Sequence, residues 1–184
     1  MSLAEKSAIS VQIINKARSL GASLAGIASV EQLKKSPSHD IYTKIEPNQG
    51  VGSRDFAEGV KPGEVAWPPS AKSALVIALA HKEDDPQLDW WIDYEEDRES
   101  RGYRLLLDIL DDVSEWVGKE FNFSTHSLPY HLEKGGIFYK DAGVLAGLGC
   151  IGKNNLLVTP KYGPRVRVWA LLFDEELPLS LIHI

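Results

Sequence analysis

A single segment, Ala142–Arg167, holds the residue types best suited to bind a ligand. Four of its glycines, Gly147, Gly149, Gly152 and Gly163, lie within seventeen residues. Glycine tolerates positive φ angles and lets another backbone or a ligand approach closely. Among these glycines lies a polar turn, Lys153–Asn154–Asn155, whose N–H groups and amide side chains could hold carboxamides or a phosphate. From the spacing alone, a pair of tight turns between buried elements explains the glycines equally well.

A nucleotide phosphate loop is the first chemistry that this segment suggests. The run Gly147–Asn154 nearly spells G-x-x-x-x-G-K-S/T, but Asn154 stands where a hydroxyl should contact Mg²⁺. A phosphate loop follows a strand and opens a helix. Here Lys140–Leu148, with helix-like apolar spacing, comes before the loop, and the short apolar run Leu156–Thr159 comes after it. Both the order of elements and the chemistry therefore disfavour a phosphate loop.

A longer run in the same region resembles the signature of a known family. AGLGCIGKNNLLVTPKYGPRVRVWALLFDEELP is similar to the AGLG-x-IGKN-x-LL-x-x-P-x-x-G segment of the epoxyqueuosine reductases and of their relatives, the corrinoid-dependent reductive dehalogenases. The opening run Ile9–Leu33 resembles the first helix, strand and short second helix of that family. The resemblance implies an α+β fold, a layered sheet with flanking helices, of the nitroreductase-like type that binds cobalamin. It also implies a following ferredoxin-type segment with two 4Fe–4S clusters.

The resemblance implies a reductase that removes an oxygen or a related leaving group from a small-molecule or tRNA-borne substrate, with a ferredoxin-like electron donor. In epoxyqueuosine reductases an acidic proton donor lies just upstream of the glycine signature, and counting back without gaps places Glu133 there. Glutamate can do this work if partial burial raises its pKa. Reductive dehalogenases use a tyrosine with a nearby lysine or arginine, which here favours Tyr130 or Tyr139 with Lys140. His131 completes the candidate catalytic group.

The cofactor is expected to contact the glycine-and-amide turn. The candidate cofactor-binding residues are Gly147, Gly149, Gly152, Lys153, Asn154, Asn155, Pro164 and Arg165. Arg165 at the rim could grip a phosphate through two nitrogens. No set of histidine, cysteine and carboxylate residues has metal-ligand spacing, so the sequence predicts no metal held by protein side chains.

The amino-acid composition limits the classes of protein to which this chain can belong. The 184 residues are 43% hydrophobic and 25% charged, which is typical of a soluble globular domain, here placed at residues 1–178. No apolar run is long enough for a membrane helix. The net charge of −6 argues against a broad basic face for nucleic acid, although Lys153, Lys161, Arg165 and Arg167 form a local patch. The single cysteine, Cys150, fits a reducing cytoplasm.

One cysteine cannot ligate the expected iron–sulfur clusters, which need runs of several thiolates. We therefore expect a truncated gene, with Leu179–Ile184 as a non-native tail; an independently evolved version without clusters is the alternative.

Periodicity predicts the elements around the candidate site. Amphipathic helices are predicted at Ala4–Leu20 and Arg101–Glu120, and strands at Ser23–Ala28, Ser73–His81, Asn122–Leu128 and Val166–Phe173. Proline, glycine and charged residues predict a long irregular segment at 36–69 and a partly exposed loop at Lys82–Ser100. This order of elements indicates a layered α+β domain.

Two other functions stay open at this point. A nitroreductase-like fold also binds flavin, so a flavin-dependent enzyme is one alternative. A corrinoid carrier or electron-transfer module without chemistry of its own is the other.

Overall fold

The computed structural model describes residues 1–44, 64–94 and 97–179, apart from the side chains of residues 91–94, 97–99 and 133. The α-helices of these residues are α1 (Leu3–Ser19), α2 (Val30–Lys34), α3 (Pro37–Tyr42), α4 (Arg101–Phe121) and α5 (Tyr139–Leu145). The strands are β1 (Leu24–Ser29), β2 (Ser73–Ala80), β3 (Trp91–Tyr94), β4 (Asp97–Ser100), β5 (Thr125–Ser127), β6 (Cys150–Ile151), β7 (Leu157–Val158) and β8 (Val166–Phe173). Short 3-10 helices cover Pro86–Asp89 and Leu132–Lys134.

The core is an antiparallel sheet of four strands in the order β1-β2-β8-β5. In the central pair, Ser73 lies opposite Phe173 and Ala80 lies opposite Val166. Every residue of β2 is buried, as expected of a strand made almost wholly of Ala, Val, Ile and Leu. The sheet therefore has two distinct ends: β2 ends and β8 begins at one, and the reverse holds at the other.

Helices cover the sheet because their apolar stripes match its apolar faces. Helices α1 and α4 contact each other and the sheet, whereas α5 packs on β1, β2 and β8. Helix α1 begins with a capping box between Ser2 and Glu5 and buries Ile13, Ile14 and Ala17. Helix α4 is capped by the Ser100 hydroxyl and ends at Asn122 in the left-handed conformation. None of the described helices is long and apolar enough to cross a membrane.

The layered α+β prediction is confirmed, and Val166–Phe173 is a strand with the predicted limits. The prediction of an irregular segment at 36–69 is wrong at its start, because Pro37–Tyr42 forms helix α3. Ser36 and Pro37 begin this helix, and proline in the first turn needs no hydrogen-bond partner for its nitrogen. Residues 45–63 of that segment, and 180–184 of the predicted tail, lie outside the described residues.

The predicted loop at Lys82–Ser100 also holds regular structure. It contains the 3-10 helix Pro86–Asp89 and the two-stranded hairpin of β3 and β4. Trp90, between the two, is 64% exposed. The loop therefore leads from the end of β2 to the start of α4 in an ordered path.

Candidate functional site

A cleft of about 1120 Å³ opens beside the end of the sheet at which β2 ends and β8 begins. Its floor is apolar, formed by Ile137, Leu157, Val166 and Val168. One wall comes from the segment 130–140 and the other from the end of the sheet, with Asn155 and Leu156 of the hairpin turn between them. Pockets with an apolar lining and a few converging polar groups are typical of ligand sites.

The first wall is built around aromatic rings. Tyr130 stacks on Tyr139, with ring centroids 5.5 Å apart and an angle of 16° between the planes. Tyr130 also contacts Tyr103 and Trp169, whose indole is buried in β8. Its own side chain is 37% exposed, so Tyr130 offers a ring and a hydroxyl to the cleft.

Tyr139 differs from Tyr130 although both were predicted as catalytic candidates. The Tyr139 hydroxyl donates to the main-chain oxygen of Pro129 at 3.1 Å. Burial, followed by the nearby Tyr103 and Tyr130, raises the pKa of Tyr139 well above its usual range. A phenol with a raised pKa, already donating to the backbone, is a poor proton donor. The Tyr139 ring stacks on Tyr130 in the first wall.

Lys140 links the first wall to the glycine-rich hairpin. Its Nζ donates to the main-chain oxygen of Asn155 at 2.7 Å. Asn155 can present that carbonyl because it adopts a positive φ of 58° at the end of the turn. Both residues line the cleft.

The rest of the candidate catalytic group lies in a tight turn. Glu133 is in the 3-10 helix Leu132–Lys134, but its side chain lies outside the described residues. His131 lines the cleft, and its main-chain oxygen accepts from the N–H of Gly136 at 3.0 Å. A Cβ at Gly136 would lie 2.3 Å from the oxygen of Pro129, so only glycine fits there. The turn brings Ile137 and Phe138 back to the cleft.

The predicted cofactor-binding residues fall into two groups. Asn155, Pro164 and Arg165 line the cleft. The described lining does not include Gly147, Gly149, Gly152, Lys153 or Asn154. A Cβ at Gly149 would lie 2.2 Å from the oxygen of Val158, so this glycine allows two segments of backbone to touch. The close approach inferred from the glycines is, at Gly149, an approach of backbone to backbone.

The second wall is a polar cluster that sequence reasoning missed. His81, which directly follows β2, places Nδ1 2.9 Å from Asp89 Oδ1. The same oxygen lies 3.1 Å from Arg167 Nη2, and Arg167 Nη1 donates to the Ser100 hydroxyl. All four residues line the cleft. The available signal was His81 at the end of a fully apolar strand, because side chains after buried strands often meet at one sheet edge.

A buried hydrogen-bond network supports the first wall from behind. The carboxylate of Asp141 accepts from the Ser36 hydroxyl at 2.7 Å, and from the hydroxyl and main-chain N–H of Ser38 at 2.8 and 3.0 Å. His39 Nε2 accepts from the N–H of Phe138 at 3.2 Å, so its hydrogen lies on Nδ1, which donates to Ser36. Burial, partly offset by Asp141, lowers the pKa of His39 to about 4. The network ties α3 to the start of α5.

Solved structures of two kinds of reductase share this fold. An epoxyqueuosine reductase bound to an epoxyqueuosine-modified tRNA-Tyr stem loop aligns at 19% identity with a TM-score of 0.63, over 97% of this chain and 48% of its own. An epoxyqueuosine reductase from Bacillus subtilis, with its catalytic aspartate loop swung out of the active site, aligns at 20% identity with a TM-score of 0.64. The alignment covers 97% of this chain and 48% of that protein. A catabolic reductive dehalogenase aligns at 20% identity with a TM-score of 0.64, over 97% of this chain and 22% of its own.

These comparisons confirm, at the level of fold, the resemblance found in the sequence. The chain spans about half the length of the epoxyqueuosine reductases and about a fifth of that of the dehalogenase. No family model and no curated protein matches the chain.

Proposed function

We propose that this chain is the cobalamin-binding, nitroreductase-like domain of a reductase that removes an oxygen or a related leaving group from its substrate. The observation that carries the proposal is the cleft of about 1120 Å³ at the sheet end, in a fold shared with epoxyqueuosine reductases and a B12-dependent dehalogenase. The function of those proteins supports the proposal, and the residues of this chain must fit it independently.

The cleft fits a corrinoid in size and chemistry. Pockets for drug-sized ligands hold about 300–1,000 Å³, so this cleft suits a larger group. A corrin ring needs an apolar face beside it and many polar partners for its side arms. Val166, Val168 and the Tyr130 ring line the cleft and offer an apolar surface. Asn155 and Lys134, which also line the cleft, offer polar partners for the side arms.

Two cations of the rim could hold anionic or amide groups of the cofactor. Lys140 is fixed against the Asn155 carbonyl, and Arg165 pairs with Glu83 at 2.9 Å while remaining exposed. Gly147, Gly149, Gly152, Lys153 and Asn154 shape and flank the turn that presents Asn155. When bound, a corrinoid would supply reducing electrons at its cobalt.

The chain's own residues would orient the substrate and deliver protons. Tyr130, His131 and Lys140 line the cleft, and Glu133 lies in the same turn. Tyr139 would hold the ring of Tyr130 in place. Two substrate classes follow from the relatives: a tRNA-borne epoxide and a halogenated phenol.

The electrons would come from a ferredoxin-like donor or from iron–sulfur clusters that this sequence, with its single cysteine, does not itself ligate. Among the described residues, no group of three or more His, Cys, Asp or Glu side chains could hold a metal ion. A cytoplasmic, reducing location suits this chemistry and the exposed free thiol of Cys150.

Absorbance spectroscopy tests the proposal. Titration of the purified chain with cob(II)alamin should change the corrin spectrum and saturate, whereas FMN should give no spectral change. Lys140→Gln removes the charged partner of Asn155 and should weaken cobalamin binding about tenfold, as expected for a charge-assisted hydrogen bond. Lys119→Gln, on the exposed face of α4, is the matched control and should bind as the wild type does. Binding of FMN without cobalamin would overturn the proposal in favour of a flavin enzyme.

A further inference from the structure

We propose that His81, oriented by Asp89, is a proton-transfer residue of the cleft. This inference rests on the proposed function and deepens it, because it assigns a proton donor that the sequence resemblance does not point to. It depends on the geometry of four residues on the second wall, His81, Asp89, Ser100 and Arg167, all of which line the cleft.

The backbone fixes the position of His81. It is the first residue after β2, and its main-chain N–H donates to the oxygen of Arg165 at 2.9 Å, which extends the β2–β8 pairing by one step. The imidazole is therefore anchored to the rigid end of the sheet. Its side chain is 18% exposed, so it is sheltered and still open to the cleft.

The side-chain partners fix the orientation of the imidazole. Asp89 Oδ1 lies 2.9 Å from His81 Nδ1, within ion-pair distance, and we assign a hydrogen to that nitrogen. Arg167 holds the same carboxylate oxygen through Nη2, while its Nη1 donates to Ser100. Within the described residues, Nε2 makes no hydrogen bond. It is the atom left to exchange a proton with a ligand.

Two of the candidates on the opposite wall, Tyr139 and Lys140, are less suited to this step. The Tyr139 hydroxyl donates to Pro129, and the Lys140 ammonium donates to Asn155. Histidine is the side chain that most often transfers protons near neutral pH, and a positioned carboxylate commonly orients it.

The step itself is a proton transfer. Reductive removal of an oxygen that bridges two carbons takes up two electrons and two protons, leaves a carbon–carbon double bond and releases water. His81 in its protonated form supplies one of those protons: its Nε2–H bond breaks, an O–H bond forms on the leaving oxygen, and the imidazole becomes neutral. A reduced corrinoid is the class of electron donor, and solvent reprotonates His81.

The charged groups around His81 come from both sides. Asp89 and Arg167 face it from the cleft. On the other side lies a groove of about 370 Å³ that His81 also lines. The further groove residues are Lys82, Glu83, Lys161, Tyr162 and Arg165.

The chain contains a matched control for this pair. At the other end of the sheet, His126 Nε2 lies 2.6 Å from Asp174 Oδ1, and neither residue lines the described cavities. The pairing nitrogen is Nδ1 in His81 and Nε2 in His126, so the two histidines are compared in their response to a ligand and in turnover, and not in their tautomer. A property that follows from facing the cleft should appear only in His81.

Nitrogen NMR of the imidazoles is the first test and needs no turnover. In the ¹⁵N-labelled full chain at slightly alkaline pH, His81 should be the Nδ1–H tautomer, and Asp89→Ala should shift it towards Nε2–H. Hydroxocobalamin should move the His81 Nε2 resonance and leave His126 in place. An Nε2–H tautomer in the wild type, or a His81 resonance that does not respond to ligand, would overturn the proposal.

Turnover is the second test. With cobalamin and titanium(III) citrate, an epoxyqueuosine-modified tRNA stem loop and 3-bromo-4-hydroxybenzoic acid serve as substrates. His81→Gln should lower kcat by about 10²- to 10⁴-fold with little change in KM, as expected for loss of a general acid. His81→Ala should regain part of that rate when imidazole is added, and His126→Gln should match the wild type.

Unchanged kcat in His81→Gln would overturn the proposal while leaving the proposed function intact. If the wild type binds no cobalamin and turns over neither substrate, the proposed function fails and the catalytic role of His81 fails with it. The tautomer measurement would still decide whether Asp89 orients His81.

Discussion

The two ends of the central sheet carry similar residues in different surroundings. At the end where β2 leads into His81, a histidine and an aspartate face a cleft that continues across an apolar floor to aromatic rings. At the opposite end, His126 and Asp174 form a closer pair, at 2.6 Å, joined by Ser70, whose hydroxyl lies 3.4 Å from His126 Nε2. The residue types therefore do not distinguish a candidate site from a surface pair.

The surrounding elements make the difference. At the cleft end, residues of the turn 130–136 and of the β6–β7 hairpin line the same cavity as the end of the sheet. Lys140 of α5 donates to the Asn155 oxygen of the hairpin turn at the cleft rim. At the far end, Asp174 follows β8 directly, and its N–H donates to the oxygen of Ser124. Hydrogen bonding to Ser70, then to His126, lowers the pKa of Asp174, which suits a permanently charged surface partner.

The largest effect should come from the hairpin that frames the cleft. Gly149→Ala places a Cβ 2.2 Å from the main-chain oxygen of Val158, and backbone cannot move aside as a side chain can. We expect a loss of about 1–3 kcal/mol or more in the free energy of unfolding, measured by urea denaturation. Cobalamin binding should weaken at temperatures at which the variant is still folded, because the hairpin presents Asn155.

Gly118→Ala is the control for this substitution. Gly118 lies in α4, and its nearest neighbour for an added Cβ is the oxygen of Phe123 at 3.9 Å. Alanine should stabilise this helix by up to about 1 kcal/mol. Equal effects of the two substitutions on stability would mean that the hairpin does not pack as the structure shows.

The next effect depends on pH and comes from the buried His39 behind the first wall. Its pKa is lowered to about 4, from an ordinary value near 6.5, so the folded state resists protonation. Between those pH values the unfolded chain binds a proton that the folded chain does not. Stability should therefore fall as the pH falls through this window, by up to about 1.4 kcal/mol per pH unit.

Urea denaturation at pH 7, 5.5 and 4.5 measures this dependence, with His39→Leu as the reference. The carboxylates titrate in both proteins, so the difference in slope reports His39. If both proteins lose stability in parallel as the pH falls, His39 is not the neutral, buried acceptor of the Phe138 N–H.

Local sequence patterns predicted where the strands of the sheet end, but they did not predict which side chains meet at those ends. The apolar runs at Ser73–His81 and Val166–Phe173 are local patterns, and both strands lie where the sequence predicted them. The bond from Arg167 to Ser100 spans 67 residues, and that from Ser36 to Asp141 spans 105. Such contacts follow from strand register and helix packing, which no window of sequence contains.

The glycines show the same limit of sequence-based prediction at the level of single residues. The glycine spacing around Gly149 fitted a pair of tight turns and a close approach equally well, and a close approach can be made by a ligand or by another backbone. The structure places Val158 against Gly149. The candidate site is therefore formed by Asn155 and the residues that face it, and not by the glycines.

The smallest effect should come from His126 and Asp174 at the far end of the sheet, and it tests the comparison between the two ends most directly. His126 and Asp174 are 32% and 29% exposed, so solvent screens their attraction, and such pairs contribute about 0–1 kcal/mol. A double-mutant cycle of His126→Gln and Asp174→Asn, measured by urea denaturation, should give a coupling energy within that range. Cobalamin affinity should be unchanged in all three variants, because neither side chain reaches the described cavities. A change in cobalamin affinity would show that β8 transmits the state of one sheet end to the other, and the two ends would then have to be treated as one site.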